Sequence, residues 1–385
     1  MSASAARIAA PGPKRILALD GGGVRGIVTL AFLARVEAEL RRRSAAPERF
    51  RLSDYFDLIG GTSAGAIIAV GLALGYRVGE VRDLYREVVP RVFRRSWLRV
   101  AGWRAKFDGE RLLVELRRHL GDRTLDSEDL LTGLAVVAKR ADTGSPWVLT
   151  NNPASMFWQT PGDGSFVGNR HFILAQLVRA STAAPFYFAP ESIEIVRGMP
   201  HGLFIDGALS PHNNPALQLL MLARMRRYGF GWSLGADRLL MISIGTGAFR
   251  HRIDAEQARK MMAATFAVDA LRSLVQDSER LVLQLMQWLS EPDLAWPINA
   301  EIGDLSGETL TGERLLAFQR YDLPLEAGWL AEQLGRAVSP RQLERLHRLD
   351  DPGILDDIED LANAAAERLV AARHFPLAFD RQPAT

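Results

Sequence analysis

Short apolar runs alternate with helical periodicity in the N-terminal part of the chain. Residues 15–19 (RILAL) form an apolar run just before a cluster of glycines and predict a buried strand. A helical pattern follows, because apolar residues recur at steps of three and four positions, at Ile27, Leu30, Leu33, Val36 and Leu40. Residues 55–59 predict a second strand, and residues 64–74 predict an uncharged helix. This order of strand, turn and helix, repeated once, favours a parallel α/β sheet.

Later apolar runs predict further strands at residues 134–138, 147–150, 203–205 and 239–244. From Asp254 the pattern is helical, and it stays mostly helical to about residue 371. We expect a disordered tail over residues 1–13, an α/β core over residues 14–250, and a helical C-terminal region over residues 251–385 that packs on the core.

The composition excludes several classes of function. The chain has 385 residues, and 47 Lys and Arg against 45 Asp and Glu give a formal charge of +2. A protein that binds a nucleic-acid polymer usually carries a larger and more clustered positive charge, so we expect no such partner. The sequence has no cysteine, which excludes disulfides, thiolate metal sites and cysteine nucleophiles. The N-terminus lacks the pattern of a secretory signal, so we expect a cytoplasmic location.

The first chemical motif lies between the second predicted strand and the helix after it. Residues 61–65 (GTSAG) fit G-x-S-x-G, in which the serine of a nucleophile elbow occupies a sharp turn. Gly61 and Gly65 would leave room for the close backbone approach that this turn needs. Ser63 is therefore a candidate nucleophile, and its ordinary alternative is a helix N-cap.

A second motif, the glycine loop (residues 20–26, DGGGVRG), lies between the first predicted strand and its helix. Glycines at a helix N-terminus present free N–H groups to an anion, and an oxyanion or a phosphate would serve equally. A Walker A loop is excluded because no lysine in the chain follows a glycine. The dinucleotide fingerprint also fits poorly, since its acidic ribose partner could only be Glu37 or Glu39.

A third motif, Asp206-Gly207-Ala208, follows the predicted strand at residues 203–205 and supplies a candidate base. His201 and His212 lie five and six residues from Asp206. A Ser–His–Asp triad is therefore an alternative, and the order of its members matches that of α/β-hydrolases. That fold leaves the glycine loop unexplained.

These three motifs, in this order, resemble the patatin family of lipid acyl hydrolases, also called patatin-like phospholipases. Residues 184–188 (APFYF) and 243–247 (SIGTG) resemble two further family blocks, and residues 296–304 and 318–323 resemble the family more weakly. The resemblance implies a three-layer α/β/α fold with a mainly parallel central sheet and a helical C-terminal elaboration. It also implies a Ser–Asp dyad in which Ser63 is the nucleophile and Asp206 its base.

The resemblance further assigns the glycine loop to an oxyanion hole, formed by the N–H groups of Gly22 and Gly23 with Gly21 and Arg25 beside them. A membrane phospholipid or another acyl lipid is the implied substrate, cleaved through an acyl-enzyme intermediate, and no metal or cofactor is implied. The chemistry agrees, because a serine hydroxyl needs a neighbour to take its proton. A carboxylate is a weak base at its ordinary pKa, so we expect burial to raise the pKa of Asp206.

Two other functions stay open at this stage. Some bacterial patatin-like lipases are activated by a cyclic nucleotide, so a small-molecule activator is one alternative, with no regulatory site visible in this sequence. A nucleotide-binding phosphotransferase that uses residues 20–26 as a phosphate loop is the other, and it leaves residues 61–65 and Asp206 without a role. The oligomeric state is not indicated.

Residues 91–107 interleave aromatic and basic side chains. On a helical wheel Phe93, Trp97 and Trp103 share one face with Val100 and Phe107, while arginines and Lys106 lie opposite. This pattern is typical of an interfacial helix at an anionic membrane, which would make the protein peripheral. The alternative is a lid or core helix with a solvated basic face.

Overall fold

A central sheet organises the protein in the computed structural model, which describes residues 2–93, 105–250, 259 and 263–381. Within these residues the sheet has eight strands. They are β1 (Lys14–Leu19), β2 (Leu58–Thr62), β3 (Gly133–Arg140), β4 (Pro146–Thr150), β5 (Glu191–Ile193), β6 (Gly202–Asp206), β7 (Gly235–Ile244) and β8 (Leu316–Tyr321). The order of hydrogen-bonded pairing is β5, β6, β3, β2, β1, β7, β8, in which β6 and β2 pair with successive parts of one edge of β3 and β4 pairs with its other edge. Strands β3, β2, β1, β7 and β8 are parallel, whereas β4 and β6 are antiparallel to β3.

Helices cover both faces of this sheet. They are α1 (Ala3–Ala9), α2 (Gly26–Arg43), α3 (Leu52–Tyr55), α4 (Ala64–Ala73), α5 (Val78–Val92), α6 (Gly109–Leu120), α7 (Leu174–Ser181), α8 (Ala216–Arg224), α9 (Ala263–Trp288), α10 (Ala327–Leu334), α11 (Pro340–Leu346) and α12 (Leu355–Leu369). Leu17 and Leu19 of β1 lie in one apolar cluster with side chains of α2, α4 and α12. Ile16 and Ala18 lie in a second cluster with side chains of α8 and α9. The predicted three-layer α/β/α fold is confirmed, and burial on both faces explains the continuous apolar runs of the central strands.

The N-terminal segment is ordered, so the prediction of a disordered tail is wrong for residues 3–9. Helix α1 is capped by the Ser2 side chain, which accepts a hydrogen bond from the Ala5 N–H. Ile8 is buried in the second cluster, and its carbonyl accepts hydrogen bonds from Lys14 Nζ at 2.9 Å and Trp232 Nε1 at 3.1 Å. The buried Ile8 and its hydrogen bonds with Lys14 and Trp232 stabilise this segment, whose small side chains gave little helical signal in the sequence.

The boundary predicted at residue 250 does not separate the sheet from a helical region. Strand β8 comes from the predicted helical region and pairs in parallel with β7, from Met241 opposite Phe318 to Ile244 opposite Tyr321. Residues 14–250 therefore lack one strand of the core. The helical prediction holds for α9 to α12, and Asp254 lies outside the described residues.

The second strand begins three residues later than the apolar run predicts. Residues 52–55 form the helical turn α3, and the Asp54 carboxylate accepts a hydrogen bond from the Arg51 N–H at 2.8 Å at its start. A side-chain bond of this kind favours a helix start over a strand. Strand β5 was not predicted, because three residues are too few for a periodic pattern.

One continuous helix, whether interfacial or a lid or core helix, does not fit either described end of residues 91–107. Helix α5 ends at Val92, and the segment that holds Phe107 is irregular. The rings of Phe93 and Phe107 lie 5.1 Å apart, and both contact Phe188, so these two phenylalanines pack inside the protein. Trp97 and Trp103 lie outside the described residues. None of the helices that are described combines the length and the apolar character needed to cross a bilayer.

Candidate active site

Two strands end against the same part of β3 from opposite directions. Strand β2 is parallel to β3 and ends with Thr62 opposite Val137, whereas β6 is antiparallel and ends with Asp206 opposite Ala138. Because β4 occupies the other edge of β3, β2 and β6 lie on the same edge and meet end to end. This register brings Ser63, the residue after β2, to the last residue of β6.

Ser63 occupies the sharp turn between β2 and α4, with φ 54° and ψ −121°. Residues other than glycine adopt such a backbone conformation only where the surrounding structure enforces it. A Cβ on Gly65 would lie 2.2 Å from the Leu19 carbonyl oxygen, and one on Gly61 would lie 2.2 Å from the backbone of Gly65. The Ser63 N–H donates to Ser181 Oγ at 2.8 Å. These contacts hold the serine at the end of the strand, as a nucleophile elbow requires.

Asp206 accepts a hydrogen bond directly from the Ser63 hydroxyl. Ser63 Oγ donates to Asp206 Oδ2 at 2.6 Å, and the Ala208 N–H donates to Asp206 Oδ1 at 2.8 Å. Only 3% of Asp206 is exposed. Burial raises the pKa of Asp206 to about 6, while the hydrogen bonds from Ser63 and Ala208 oppose this rise. The carboxylate is therefore ionised near neutral pH and is a stronger base than an exposed aspartate.

The glycine loop lies beside this pair. A Cβ on Gly21 would lie 3.1 Å from Ser63 Cβ. The Gly21 N–H donates to the Asn213 carbonyl at 3.2 Å, so it is not free for an oxyanion, and Gly21 lies beside the predicted donors Gly22 and Gly23. Among the described residues no acceptor pairs with the N–H groups of Gly22 and Gly23. The two donors without an acceptor thus follow directly after Gly21, the loop residue that lies against the serine.

The C-terminal part of the chain shapes the same loop. Gly23 has φ 55°, and a Cβ there would lie 2.4 Å from the Leu349 carbonyl oxygen. The Leu349 carbonyl accepts the Val24 N–H at 2.9 Å, and the Tyr85 hydroxyl donates to the Gly23 carbonyl. Glycine is required at this position by both the left-handed backbone and the close approach.

Arg25 of the glycine loop is buried and forms no ion pair with the residues that the structure describes. Its side chain is 7% exposed, and Nε and Nη1 make no hydrogen bond within the described part of the chain. The guanidinium lies 5.2 Å from the Phe249 ring. Burial lowers its pKa to about 10, and the nearby Glu279 opposes this shift, so Arg25 stays cationic at neutral pH. A buried cation with free donors is suited to binding an anion.

The sequence did not predict the residues that hold the glycine loop from behind. Arg320 of β8 donates to the Asp20 carboxylate at 2.9 and 2.6 Å and to Asp322 Oδ2 at 2.7 Å. All three side chains are buried. The one signal for this ion pair was the weak family resemblance of residues 318–323, because Asp20 and Arg320 are 300 positions apart.

Neither candidate histidine completes a triad in the structure. Among the described residues, no histidine hydrogen-bonds to Ser63 or Asp206. His212 is buried, its Nδ1 has no partner in that part of the chain, and its carbonyl accepts the Thr62 hydroxyl at 2.6 Å. His201 is exposed. The arrangement is a Ser–Asp pair beside a loop with two amides that have no acceptor in the described part of the chain.

Comparison with known proteins adds an independent finding. A family model described as "Patatin-like phospholipase" matches residues 17–220, more than half of the chain. A "cGAMP-activated phospholipase" of Escherichia coli (strain TW11681) is 30% identical over 60% of this chain and 62% of its own length. A "cUMP-AMP-activated phospholipase" of Escherichia coli is 37% identical over 53% of this chain and 57% of its own length. The chain thus spans less than two thirds of the length of these relatives.

The structure of a human cytosolic phospholipase A2 (GIVD) is similar over a larger part of the chain. The alignment covers 92% of this chain and 60% of that one, with 11% identity and a TM-score of 0.43.

Proposed function

The chain belongs to the patatin-like phospholipase family, and from this premise we propose that it hydrolyses carboxylic esters of membrane phospholipids through a Ser63–Asp206 dyad. The observation that carries the proposal is the 2.6 Å hydrogen bond from Ser63 Oγ to a buried carboxylate, beside a glycine loop whose Gly22 and Gly23 N–H groups have no acceptor among the described residues. The family relatives named as phospholipases support the choice of substrate.

In the first half of the reaction, Ser63 Oγ attacks the ester carbonyl carbon and its proton passes to Asp206 Oδ2. The carbonyl oxygen becomes an oxyanion that accepts hydrogen bonds from the Gly22 and Gly23 N–H groups. Donors fixed in advance are worth roughly 3 to 4 kcal/mol each in such a site. The bond to the leaving alcohol then breaks, Asp206 returns the proton to that alcohol, and an acyl-enzyme on Ser63 remains.

In the second half, Asp206 takes a proton from a water molecule, and the resulting hydroxide attacks the acyl carbon. The same amides stabilise the second oxyanion. The bond to Ser63 Oγ breaks, the serine regains a proton from Asp206, and the fatty acid leaves. Asp206 is thus base and acid in turn, a role suited to a pKa of about 6.

Arg25 is proposed to face the negative charge of the substrate or of the oxyanion. Its Nε and Nη1 have no partner in the described structure, and it stays cationic despite burial. An arginine can direct two parallel donors at a phosphate or an oxyanion, which a lysine cannot.

The test is mass spectrometry of the products released from vesicles of defined phospholipids. We expect free fatty acid and lysophospholipid from the wild type. Incubation with ATP in the same assay tests the phosphotransferase alternative, which would show ADP formation without fatty acid. Absence of fatty acid from every lipid offered would contradict the proposal.

Phe186 is proposed as a contact with the membrane. Its side chain is 65% exposed, and its backbone has φ 72°, which is rare for an aromatic residue. The Ala183 carbonyl accepts the Asp206 N–H at 3.1 Å. Phe186 follows Ala183 by three residues, so only a short segment separates it from this contact with the dyad. An exposed aromatic side chain in this place can enter the lipid interface from which the substrate comes.

We expect Phe186→Asn to lower hydrolysis of vesicles about 10- to 100-fold, because the lost apolar burial is worth about 1.5 to 3 kcal/mol. Asparagine tolerates the left-handed backbone, so the fold should not change. Turnover of a soluble short-chain ester should stay at the wild-type level. Met156→Asn is the matched control, because Met156 is 55% exposed and follows β4 at the opposite end of the sheet. Equal losses on vesicles and on the soluble ester would contradict the membrane role.

The second candidate function is an ester hydrolase activated by a cyclic nucleotide. The names of the two relatives favour it, since one is described as activated by cGAMP and the other by cUMP-AMP. We expect vesicle hydrolysis to be low without a nucleotide and to rise at least about tenfold with one of these two compounds. A linear dinucleotide is the control. Full activity without any nucleotide would contradict activation while leaving the hydrolase proposal in place.

A further inference from the structure

We infer that Asn213, Thr246 and Glu279 are positioning residues that orient the Gly22 N–H toward the oxyanion. The inference rests on the proposed function, because it concerns the donor that the glycine loop offers to the ester. Glu279 and Thr246 lie beyond residues 17–220, the part of the chain that matches the family model.

The Gly21–Gly22 peptide is fixed through its carbonyl. The Gly21 carbonyl accepts hydrogen bonds from Asn213 Nδ2 at 3.3 Å and from Thr246 Oγ1 at 3.0 Å. On the other side of Gly21, its own N–H donates to the Asn213 carbonyl at 3.2 Å. Asn213 therefore holds Gly21 through both its backbone and its side chain.

Holding this carbonyl also sets the direction of the next N–H. In a planar trans peptide, the carbonyl of Gly21 and the N–H of Gly22 point in opposite directions. With the carbonyl held by Asn213 and Thr246, the Gly22 N–H points away from both. A peptide between two glycines can rotate between several backbone conformations, so without these two donors it would be poorly oriented.

Glu279 of α9 sets the orientation of the Asn213 amide. Asn213 Nδ2 donates to Glu279 Oε1 as well as to the Gly21 carbonyl. Two acceptors on one side of the amide require the nitrogen there, which leaves Asn213 Oδ1 buried without a partner in the described structure. Asn213 is 5% exposed, so water does not compete freely for these bonds. Helix α9 thus extends the site beyond the motifs in the sequence.

The test compares isosteric variants of the network by steady-state kinetics on a phospholipid ester. Asn213→Asp replaces the donor with an acceptor that faces two other acceptors, and we expect kcat to fall about 100-fold with KM within about threefold of the wild type. Thr246→Val removes one donor, and we expect a smaller fall in kcat of about tenfold. Glu279→Gln keeps an acceptor for Asn213 and should retain at least about five times the kcat of Glu279→Leu.

Asn152→Asp is the matched control for a general loss of stability. Asn152 is 2% exposed, and its Nδ2 donates to the Tyr228 carbonyl at 2.8 Å, outside the site. This variant should lower the melting temperature as much as Asn213→Asp does but should keep the wild-type kcat. If kcat fell by the same factor in Asn213→Asp and in Asn152→Asp, the inference would be overturned.

Labelling of Ser63 by a fluorophosphonate separates this inference from the proposed function. Phosphonylation also develops charge on an oxygen at the oxyanion position, so Asn213→Asp and Thr246→Val should be labelled more slowly in proportion to their kcat. Wild-type rates of labelling and turnover in both folded variants would overturn the positioning role. If the wild type itself were neither labelled nor active on esters, the proposed function would fail instead. If Asn213→Asp does not fold, Thr246→Val and the pair of Glu279 variants decide the question.

Discussion

Replacing Ser63 by alanine is expected to lower phospholipid hydrolysis by about 10⁴-fold or more. The variant removes the Oγ that donates to Asp206 Oδ2 and that would carry the acyl group. The backbone should not change, because Ser63 Cβ remains and alanine meets the same constraint at φ 54° as serine. Release of fatty acid from vesicles gives the rate, and circular dichroism checks the fold.

Ser53→Ala is the matched control for this experiment. Ser53 is fully buried in α3, before the start of β2, and its hydroxyl has no partner in the described structure, so the substitution breaks no hydrogen bond there. Its variant should hydrolyse vesicles at the wild-type rate. Retention of about a tenth of the activity in Ser63→Ala would show that another group attacks the ester, and the proposed mechanism would be wrong.

Asp206→Asn is expected to lower kcat/KM by about 10³- to 10⁴-fold, because asparagine cannot take the serine proton. Asparagine still offers an oxygen to the Ala208 N–H, which now donates to Asp206 Oδ1 at 2.8 Å. For the wild type, kcat/KM should be constant above about pH 7 and fall about tenfold per pH unit below the pKa of about 6. The residual kcat/KM of Asp206→Asn should not show this fall below pH 6. A wild-type profile that stays flat well below pH 6 would exclude Asp206 as the base.

The same substitution should stabilise the protein at neutral pH. Burial raises the pKa of Asp206 from 3.8 to about 6, so the folded state favours the protonated carboxyl and loses stability as the pH rises through that value. The difference corresponds to at most about 3 kcal/mol at neutral pH. Asp206→Asn should raise the free energy of unfolding by up to this amount near pH 7 and by much less near pH 4, measured by denaturant titration. Destabilisation at both pH values would mean that the carboxylate is a structural requirement.

Strands buried on both faces could be predicted well from the sequence. Residues 16–19 and 239–242 are apolar without interruption because both layers of helices cover them. Strand β8 could not be predicted in this way, because Arg320 and Gln319 interrupt its apolar pattern. Arg320 is buried because Asp20 and Asp322 neutralise it, and a periodicity does not show a partner 300 positions away. For residues 91–107 the wheel left an interfacial helix and a core helix open, since a wheel groups aromatic residues but does not tell a buried cluster from an exposed face.

The order of the motifs predicted which residues converge, but not how they are held. Ser63 and Asp206 are adjacent because β2 and β6 end on neighbouring residues of β3, and this register follows from pairing across the sheet rather than from any local pattern. Gly21 is a further example. It belongs to the motif, yet its N–H is already paired with the Asn213 carbonyl. This hydrogen bond forms because the segment after Asp206 passes next to the glycine loop, which no local pattern shows.

The pairing of β8 with β7 limits how far the gene can be shortened for laboratory work. A fragment that stops at residue 250 would uncover the outer edge of β7, whose free backbone groups can recruit strands from other molecules. It would also leave Asp20 buried without its counter-ion, which is costly. Such a fragment is expected to aggregate on expression rather than behave as a smaller enzyme, although it holds every family motif through residue 247.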